Sequence, residues 1–238
     1  MTRVAVFRPD DDRLEAAVSL LKSLGVEPIA DPMLAVEPTG ELPRSDAAFV
    51  ILTSKTGAEI VEDRWTPGNA TVCAIGTGTA DALEAAGIRV DVVPETYSSE
   101  GLVTALNGRV DGERVEIARS DHGSDVLLEG LDAAGAYHHE TVLYRLIRPE
   151  GAGDSVRLAA EGELAAALFT SSLTVEHFLE TANELGVREA AIAGLNAAVV
   201  GAIGEPTKET AEMADIAVDV VAETATFAAL AKAVIDRL

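Results

Sequence analysis

With 238 residues the chain holds either one large domain or two of about 100 to 150 each, and it buries a core without disulfide or metal staples. Its 40 acidic against 18 basic residues leave a net charge of −22 at pH 7, which disfavours a nucleic-acid partner, and no basic stripe offsets it. A single cysteine, Cys73, excludes an intramolecular disulfide and a thiolate metal cluster; set in an apolar run, it reads as a small core residue of a protein kept in a reducing cytoplasm.

Residues Met1 to Phe7 lack the long apolar segment of an export signal, and no window approaches the ~18 uninterrupted apolar residues of a membrane span. The expectation is a soluble cytoplasmic protein with no membrane partner. Lysine occurs only at 22, 55, 208 and 232, while Asp and Glu recur on predicted helix faces among many alanines. That balance resembles halophilic cytosolic proteins; the plainer alternative is a charged, soluble surface. In molar salt the screening length is only ~3 Å, so an anionic ligand stays admissible.

Val4 to Phe7 reads as a buried strand, followed by a helix through Leu14, Val18, Leu21 and Leu24 that Gly25 ends. Prolines 28, 32, 38 and 43 forbid regular helix and predict an extended connector. Strands follow at Ala48 to Thr53, Val72 to Ile75, Arg89 to Val93 and Arg114 to Ala118. Helices are predicted from Thr56, over Thr79 to Ala86, Ser99 to Leu106 and Ser124 to Ala134. Tyr137 to Ile147 is a long β-like run that ends in a Pro/Gly-rich stretch, a second connector, after which βα alternation resumes to Leu238. Strands alternating with helices predict an α/β protein with parallel sheets.

An internal repeat organises this alternation. Shifting the chain by 128 residues lays Ala74–Leu106 on Ala202–Val234 without a gap, with 15 identities among the 33 pairs, including Val90-Asp91-Val92-Val93 on Val218-Asp219-Val220-Val221. Weaker echoes pair Leu52-Thr53-Ser54 with Phe169-Thr170-Ser171, and Val115 to Arg119 with Val4 to Arg8. The Arg-ended strand comes first in one half and late in the other. One half inserted into the other satisfies this order: a discontinuous lobe of residues 1–33 and 148–238, a second lobe of 39–140, and connector strands at 34–38 and 141–147.

α/β sheets bind ligands outside the carboxyl ends of their strands, where backbone N–H groups of the following helix favour an anion. The strand-end loops Thr53 to Gly57, Ile75 to Thr79, Tyr97 to Gly101, Thr170 to Ser172 and Ile203 to Thr207 are all of this kind. Each alone is explained as an ordinary helix cap; recurrence in both halves raises the functional reading, with the loops expected around one cleft. Gly76-Thr77-Gly78 is not a dinucleotide fingerprint, because the sixth position is Asp81, an acid facing the pyrophosphate. No Walker loop, nucleophile elbow or zinc-protease motif is present. His138 and His139 are adjacent in a predicted strand, point to opposite faces and read as a solvated edge; His122 lies in a loop within reach of a ligand, and His177 reads as a surface helix residue. No metal or cofactor is expected, and an enzyme built this way works mainly by holding its substrate.

Taken in order, Thr53-Ser54, Ala74-Ile75-Gly76 with Thr79, Val93-Pro94-Glu95 with Ser98-Ser99-Glu100-Gly101-Leu102, Val142-Leu143-Tyr144, Phe169-Thr170-Ser171 and Ala202-Ile203-Gly204 with Thr207 resemble the uroporphyrinogen-III synthase family over nearly the whole chain. The resemblance implies two flavodoxin-like lobes joined by a two-stranded β connector. It also implies a cofactor-independent lyase acting between the lobes, a monomer with hydroxymethylbilane as its small-molecule substrate. Loss of the terminal hydroxyl as water gives an azafulvene, a spiro intermediate forms, and ring D is inverted before closure. The family's connector tyrosine corresponds to Tyr144, which would protonate the leaving hydroxyl. Its cleft threonines correspond to Thr79 and Thr207 and its strand-end serines to Ser54 and Ser171. With Gly76, Thr77, Ser98, Ser99 and Gly204, these would hold acetate and propionate groups. Lys55 stands where the family often has another residue; Lys55, Arg8 and Arg119 are the basic candidates, each weighed against a structural ion pair. The competing expectation is a non-catalytic tetrapyrrole or small-anion sensor of the same fold.

Overall fold

The computed structural model describes residues 2–238. The chain divides into two compact units, one of residues up to Ala35 plus Ile147–Leu238, the other Val36–Leu146. The first unit opens with strand β1 (Arg3–Phe7), helix α1 (Asp12–Ser23) and strand β2 (Glu27–Ala30). Asp11 caps α1 by accepting from Arg13 N, and Gly25 leaves the helix in the left-handed region at φ +84°.

The second unit then runs β3 (Ala35–Pro38), β4 (Phe49–Leu52), α2 (Lys55–Val61), β5 (Thr71–Ala74), α3 (Thr77–Ala85), α4 (Ser99–Leu106), β6 (Arg114–Ser120), α5 (Asp125–Ala133) and β7 (Tyr137–Ile147). The chain returns to the first unit with α6 (Asp154–Ala160), β8 (Ala166–Phe169), α7 (Ser172–Glu184), α8 (Arg188–Asn196), β9 (Val199–Ala202), α9 (Glu205–Glu212), β10 (Val220–Val221) and α10 (Phe227–Ile235).

The first unit's sheet has the order β10-β9-β8-β1-β2, and its pairs are parallel. Counted along the unit, this is the flavodoxin-like order 2-1-3-4-5, with the direction of winding reversing between β1 and β8. Side-chain alternation sends Val4, Val6, Ala166 and Leu168 to one face under α1 and α10, and Ala5, Phe7, Ala167 and Phe169 to the other under α6 to α9. On that second face Phe7 stacks on Phe169 at 4.6 Å and meets Phe178 edge-on at 5.7 Å.

The second sheet has the order β3-β7-β6-β4-β5, parallel from β7 to β5. Val50, Leu52 and Ala118 pack with α2 and α3, while Phe49, Ile51, Val115 and Ile117 pack with α4 and α5. Cys73 lies fully buried on this second face, as its apolar setting predicts.

Set side by side, β7-β6-β4-β5 and β2-β1-β8-β9 are the same arrangement entered at different points of the chain. The 128-residue offset carries the first residues of β5, α3 and α4 onto those of β9, α9 and α10. It also carries a side-chain clip: Asp91 accepts from Val72 N at 3.1 Å, and Asp219 accepts from Val200 N at 2.9 Å.

Four local expectations are corrected. The segment from Pro28 is not all connector, because β2 pairs with β1; Pro28 is tolerated there since β2 is an edge strand. The strand expected at Arg89 to Val93 contracts to one bridge between Cys73 and Val92. Extension is blocked on one side because Asp91 takes the Val72 N–H, and on the other because Pro94 has no N–H to donate. In the second copy Ala222 replaces Pro94, donates to Ala202 O at 3.1 Å, and β10 is correspondingly a two-residue strand. His177 is buried, its ring nitrogen on the Met33 carbonyl, rather than a surface residue. The edge at His138 and His139 is only partly solvated, since on β7 the two rings pair with Asp132 and with the buried Glu116 carboxylate, each at 2.9 Å.

Candidate active site

In the second unit the reversal of winding falls between β6 and β4, the position where open α/β sheets bind ligands. At the end of β4, Ser54 is the N-cap of α2, its Oγ accepting from Gly57 N at 2.9 Å. Tyr144 Oη donates to the same Ser54 Oγ at 3.0 Å. Tyr144 reaches that corner through a β-bulge: Arg119 pairs with Val142, but Ser120 pairs with Tyr144, leaving Leu143 as the extra residue. A regular strand would send consecutive residues to opposite faces; the bulge lets Leu143 and Tyr144 both pack against the α2 and α3 side. Tyr144 is 6 % exposed.

Gly57 completes the corner. A Cβ there would stand 3.1 Å from Ser54 Oγ and 3.3 Å from Leu143 Cδ1, so the bare backbone lets α2 settle against the tyrosine and its partner. Lys55, in the first turn of α2, is exposed and pairs with Glu59 at 3.3 Å, one turn along the helix.

The next corner repeats in both units. Gly76 and Gly204 are the N-caps of α3 and α9, each in extended backbone and each without a side-chain cap bond. Thr77 follows Gly76 as the first residue of α3. Thr79 and Thr207, in the first turns, are 5 % and 3 % exposed, and neither hydroxyl has a hydrogen-bond partner among the described residues. The N–H groups at these ends are open to an anion, and the helix dipole favours one there. Ser98 caps α4 by accepting from Gly101 N at 3.1 Å, with Ser99 as the first helical residue. Ser171 caps α7 in a reciprocal box with Thr174.

The two candidate arginines fare differently. Arg8 follows β1 and Arg119 lies near the end of β6, equivalent positions in the two sheets. Arg119 is buried and bidentate to Glu140, both bonds at 3.0 Å, with a third bond to Ser124 O at 2.6 Å. Gly123 makes room for it, since a Cβ there would lie 2.4 Å from the Arg119 side chain. The substitution register explains the contrast: Ile117 pairs with Glu140 in one sheet, whereas Val6 pairs with Ala30 in the other. The neighbouring strand thus gives Arg8 no carboxylate; its guanidinium lies 5.2 Å from the Phe227 ring centre and its Nε is buried without a hydrogen-bond partner. Burial and the nearby Arg13 charge lower its pKa, with Asp11 opposing them.

Two features of these corners were not legible in sequence. Tyr97 is 60 % exposed and lies over Gly76, where a Cβ would come within 3.2 Å of its ring. The bulge that aims Tyr144 has no residue signature either. His122, expected near a ligand, pairs with Asp121 at 2.8 Å. Burial pushes the Asp121 carboxyl up, but His122 and the Leu146 N–H together hold it below its usual range.

These features define an α/β protein of the ligand-at-strand-ends class, with helix N-termini that lack a side-chain cap at Gly76 and Gly204 and serine caps at Ser54, Ser98 and Ser171. Comparison with known proteins sharpens the class. The family model described as uroporphyrinogen-III synthase HemD matches residues 15–232. A protein of Methanothermobacter thermautotrophicus provisionally named a uroporphyrinogen-III synthase is 33 % identical over 221 residues, covering 86 % of each chain. The uroporphyrinogen-III synthase of Synechococcus elongatus is 28 % identical over 200 residues, covering 76 % of each. In fold, the chain is similar to a uroporphyrinogen III synthase variant of Thermus thermophilus, with TM-score 0.68, 20 % identity and 98 % and 97 % coverage. It is likewise similar to the Helicobacter pylori uroporphyrinogen-III synthetase, with TM-score 0.65, 14 % identity and full coverage of both chains. The chain belongs to the uroporphyrinogen-III synthase family, cyclising lyases that use no cofactor.

Proposed function

We propose that the chain converts hydroxymethylbilane to uroporphyrinogen III, closing the linear tetrapyrrole with loss of water and inversion of ring D, as a step of tetrapyrrole biosynthesis. The observation that carries the residue-level reading is the Tyr144 phenol fixed on Ser54 at the winding reversal of its sheet, in a chain of this family. Tyr144 supplies the proton that turns the departing hydroxyl into water. A phenol is a weak acid near neutrality, so its share is at the low end of general-acid assistance.

In the second unit Gly76, Thr77, Thr79, Ser98 and Ser99 meet acetate and propionate groups of the substrate, and in the first unit Gly204, Thr207 and Ser171 offer the same kind of site. Ser171, a cap whose oxygen accepts from Thr174 N, keeps its hydrogen to offer a carboxylate, whereas the Ser98 hydroxyl also bonds the neighbouring Glu100 carboxylate. Arg8 is the charged anchor, its unpaired Nε supporting that role; Arg119 is tied to Glu140 and serves the fold. Lys55 contributes charge from an exposed position. The selectivity for the type III isomer is a matter of substrate conformation, because the bilane left in water closes without inverting ring D.

We also read the chain as a cytoplasmic monomer of a high-salt interior, a reading supported by the net charge of −22 and the scarcity of lysine. No described helix is long and apolar enough to cross a membrane. The test is to incubate purified protein with hydroxymethylbilane in high salt and separate the isomers. Predominant type III supports the proposal; only type I overturns it, and product binding with an unchanged isomer ratio is what the non-catalytic sensor predicts.

A further inference from the structure

We propose that Ser54 is the hydroxyl that faces the leaving group and that Tyr144 acts through it; this rests on the reading that Tyr144 supplies the proton. A serine hydroxyl has two acceptor lone pairs and one hydrogen. At Ser54 both acceptor positions are filled from within the unit, by Gly57 N–H at 2.9 Å and by Tyr144 Oη at 3.0 Å. Its own hydrogen goes to no acceptor among the described residues, so it is the one group of this triad left to address a bound molecule. Tyr144 is the reverse case. Its hydrogen is committed to Ser54, and only 6 % of the residue is exposed.

Gly57 and the bulge both serve this pairing. The glycine holds the Ser54 oxygen within the tight space beside Leu143, and the bulge brings the tyrosine onto the same face. Ser54 is half-exposed where Tyr144 is covered. The order from interior to ligand is therefore phenol, then serine hydroxyl, then substrate.

In the step, the C–O bond of the substrate's hydroxymethyl group breaks as the pyrrole nitrogen lone pair forms the new C=N⁺ character. The Ser54 proton passes to the departing oxygen, which leaves as water, and the Tyr144 proton moves onto Ser54. The substrate becomes an azafulvenium cation and Tyr144 a phenolate, so charge balances and nothing is oxidised or reduced. The proton released when the closed ring rearomatises returns to Tyr144 through Ser54.

The experiment compares wild type, S54A, S54T, Y144F and the S54A/Y144F double variant in kcat, KM and solvent isotope response with hydroxymethylbilane. Where S54A melts early, S54G replaces it, since glycine at an N-cap costs only a few tenths of a kcal/mol relative to serine. The relay predicts that S54A and Y144F each lower kcat by a similar factor of up to about ten, with KM within about two-fold. The double variant is no slower than the slower single, because both remove one unit. S54T retains its hydroxyl and stays within about two-fold of wild type. In mixtures of H2O and D2O, wild-type kcat curves as two protons move together, and that of S54A falls on a straight line. A raised KM with unchanged kcat in S54A, or losses that multiply in the double variant, overturns the relay alone. Wild-type kcat in Y144F overturns both the relay and the reading of Tyr144 beneath it.

Discussion

At Arg8 and Arg119 one residue type stands at equivalent strand ends, and only the strand next door decides its task. Glu140 on β7 takes Arg119; Ala30 on β2 offers Arg8 nothing. R8Q is therefore expected to raise KM by about ten-fold or more, the worth of one charge-assisted bond to a carboxylate, with the melting temperature little changed. R119Q should do the opposite, lowering the melting temperature while KM stays put, because it strands Glu140 and opens the space kept by Gly123. Steady-state kinetics and melting curves on the pair separate the two. Cys73 gives a second residue-scale prediction. Burial pushes its thiol from 9.0 up to about 12, with Arg109 opposing and Asp91 assisting. A thiol reagent at pH 8 should leave the native protein untouched and react fully once it is unfolded. The raised folded value also sets a sign: this contribution to stability is fully present below about pH 9 and is lost as pH rises toward about 12. Alkaline unfolding that begins later in C73A than in wild type would agree; an unchanged alkaline limb would not.

Asp31 shows how an element can be closed by a residue far from it in sequence. The cap position of α6 is Gly153, which has no side chain, and Asp31 from the end of β2 substitutes for it. Its carboxylate accepts from Gly153 N at 2.9 Å, Ser155 N at 2.8 Å and the Ser155 hydroxyl, and the residue is 3 % exposed. D31A leaves these buried donors without a partner and should cost about 2–3 kcal/mol in denaturant unfolding; a loss under about 0.5 kcal/mol would mean that the bonds are replaced by water. This cap was invisible in the sequence, because residues 31 and 153 come together only after β2 joins its sheet. The repeat, in contrast, was legible, since the same starts, clips and caps must be encoded twice: Asp91 with Asp219, Gly76 with Gly204, Ser98 with Thr226. Where the copies differ, the structure differs with them, and Pro94 against Ala222 accounts for the shortened strand. The candidate corners were equally readable, as strand ends followed by small polar residues. The Tyr144 bulge and the pairing of Arg119 were not, since both depend on the register between β6 and β7.

Across the whole molecule, 40 acidic side chains against 18 basic ones make self-repulsion a standing cost. The ion pairs at Lys55–Glu59, Lys208–Glu205 and Arg157–Asp154 are exposed and contribute at most about 1 kcal/mol each. Salt relieves the repulsion more than it weakens these pairs, so the melting temperature should rise by several degrees between 0.1 and ~2 M potassium chloride; a flat or falling curve would remove the argument for a high-salt interior. The catalytic account needs no more from the molecule than an acid pair at one corner and anion-binding ends at the others. Its most direct test is the isomer ratio formed from hydroxymethylbilane by the wild-type protein, measured against the uncatalysed reaction in the same salt. Predominantly type III product is predicted; a ratio equal to that of the uncatalysed control would contradict the account.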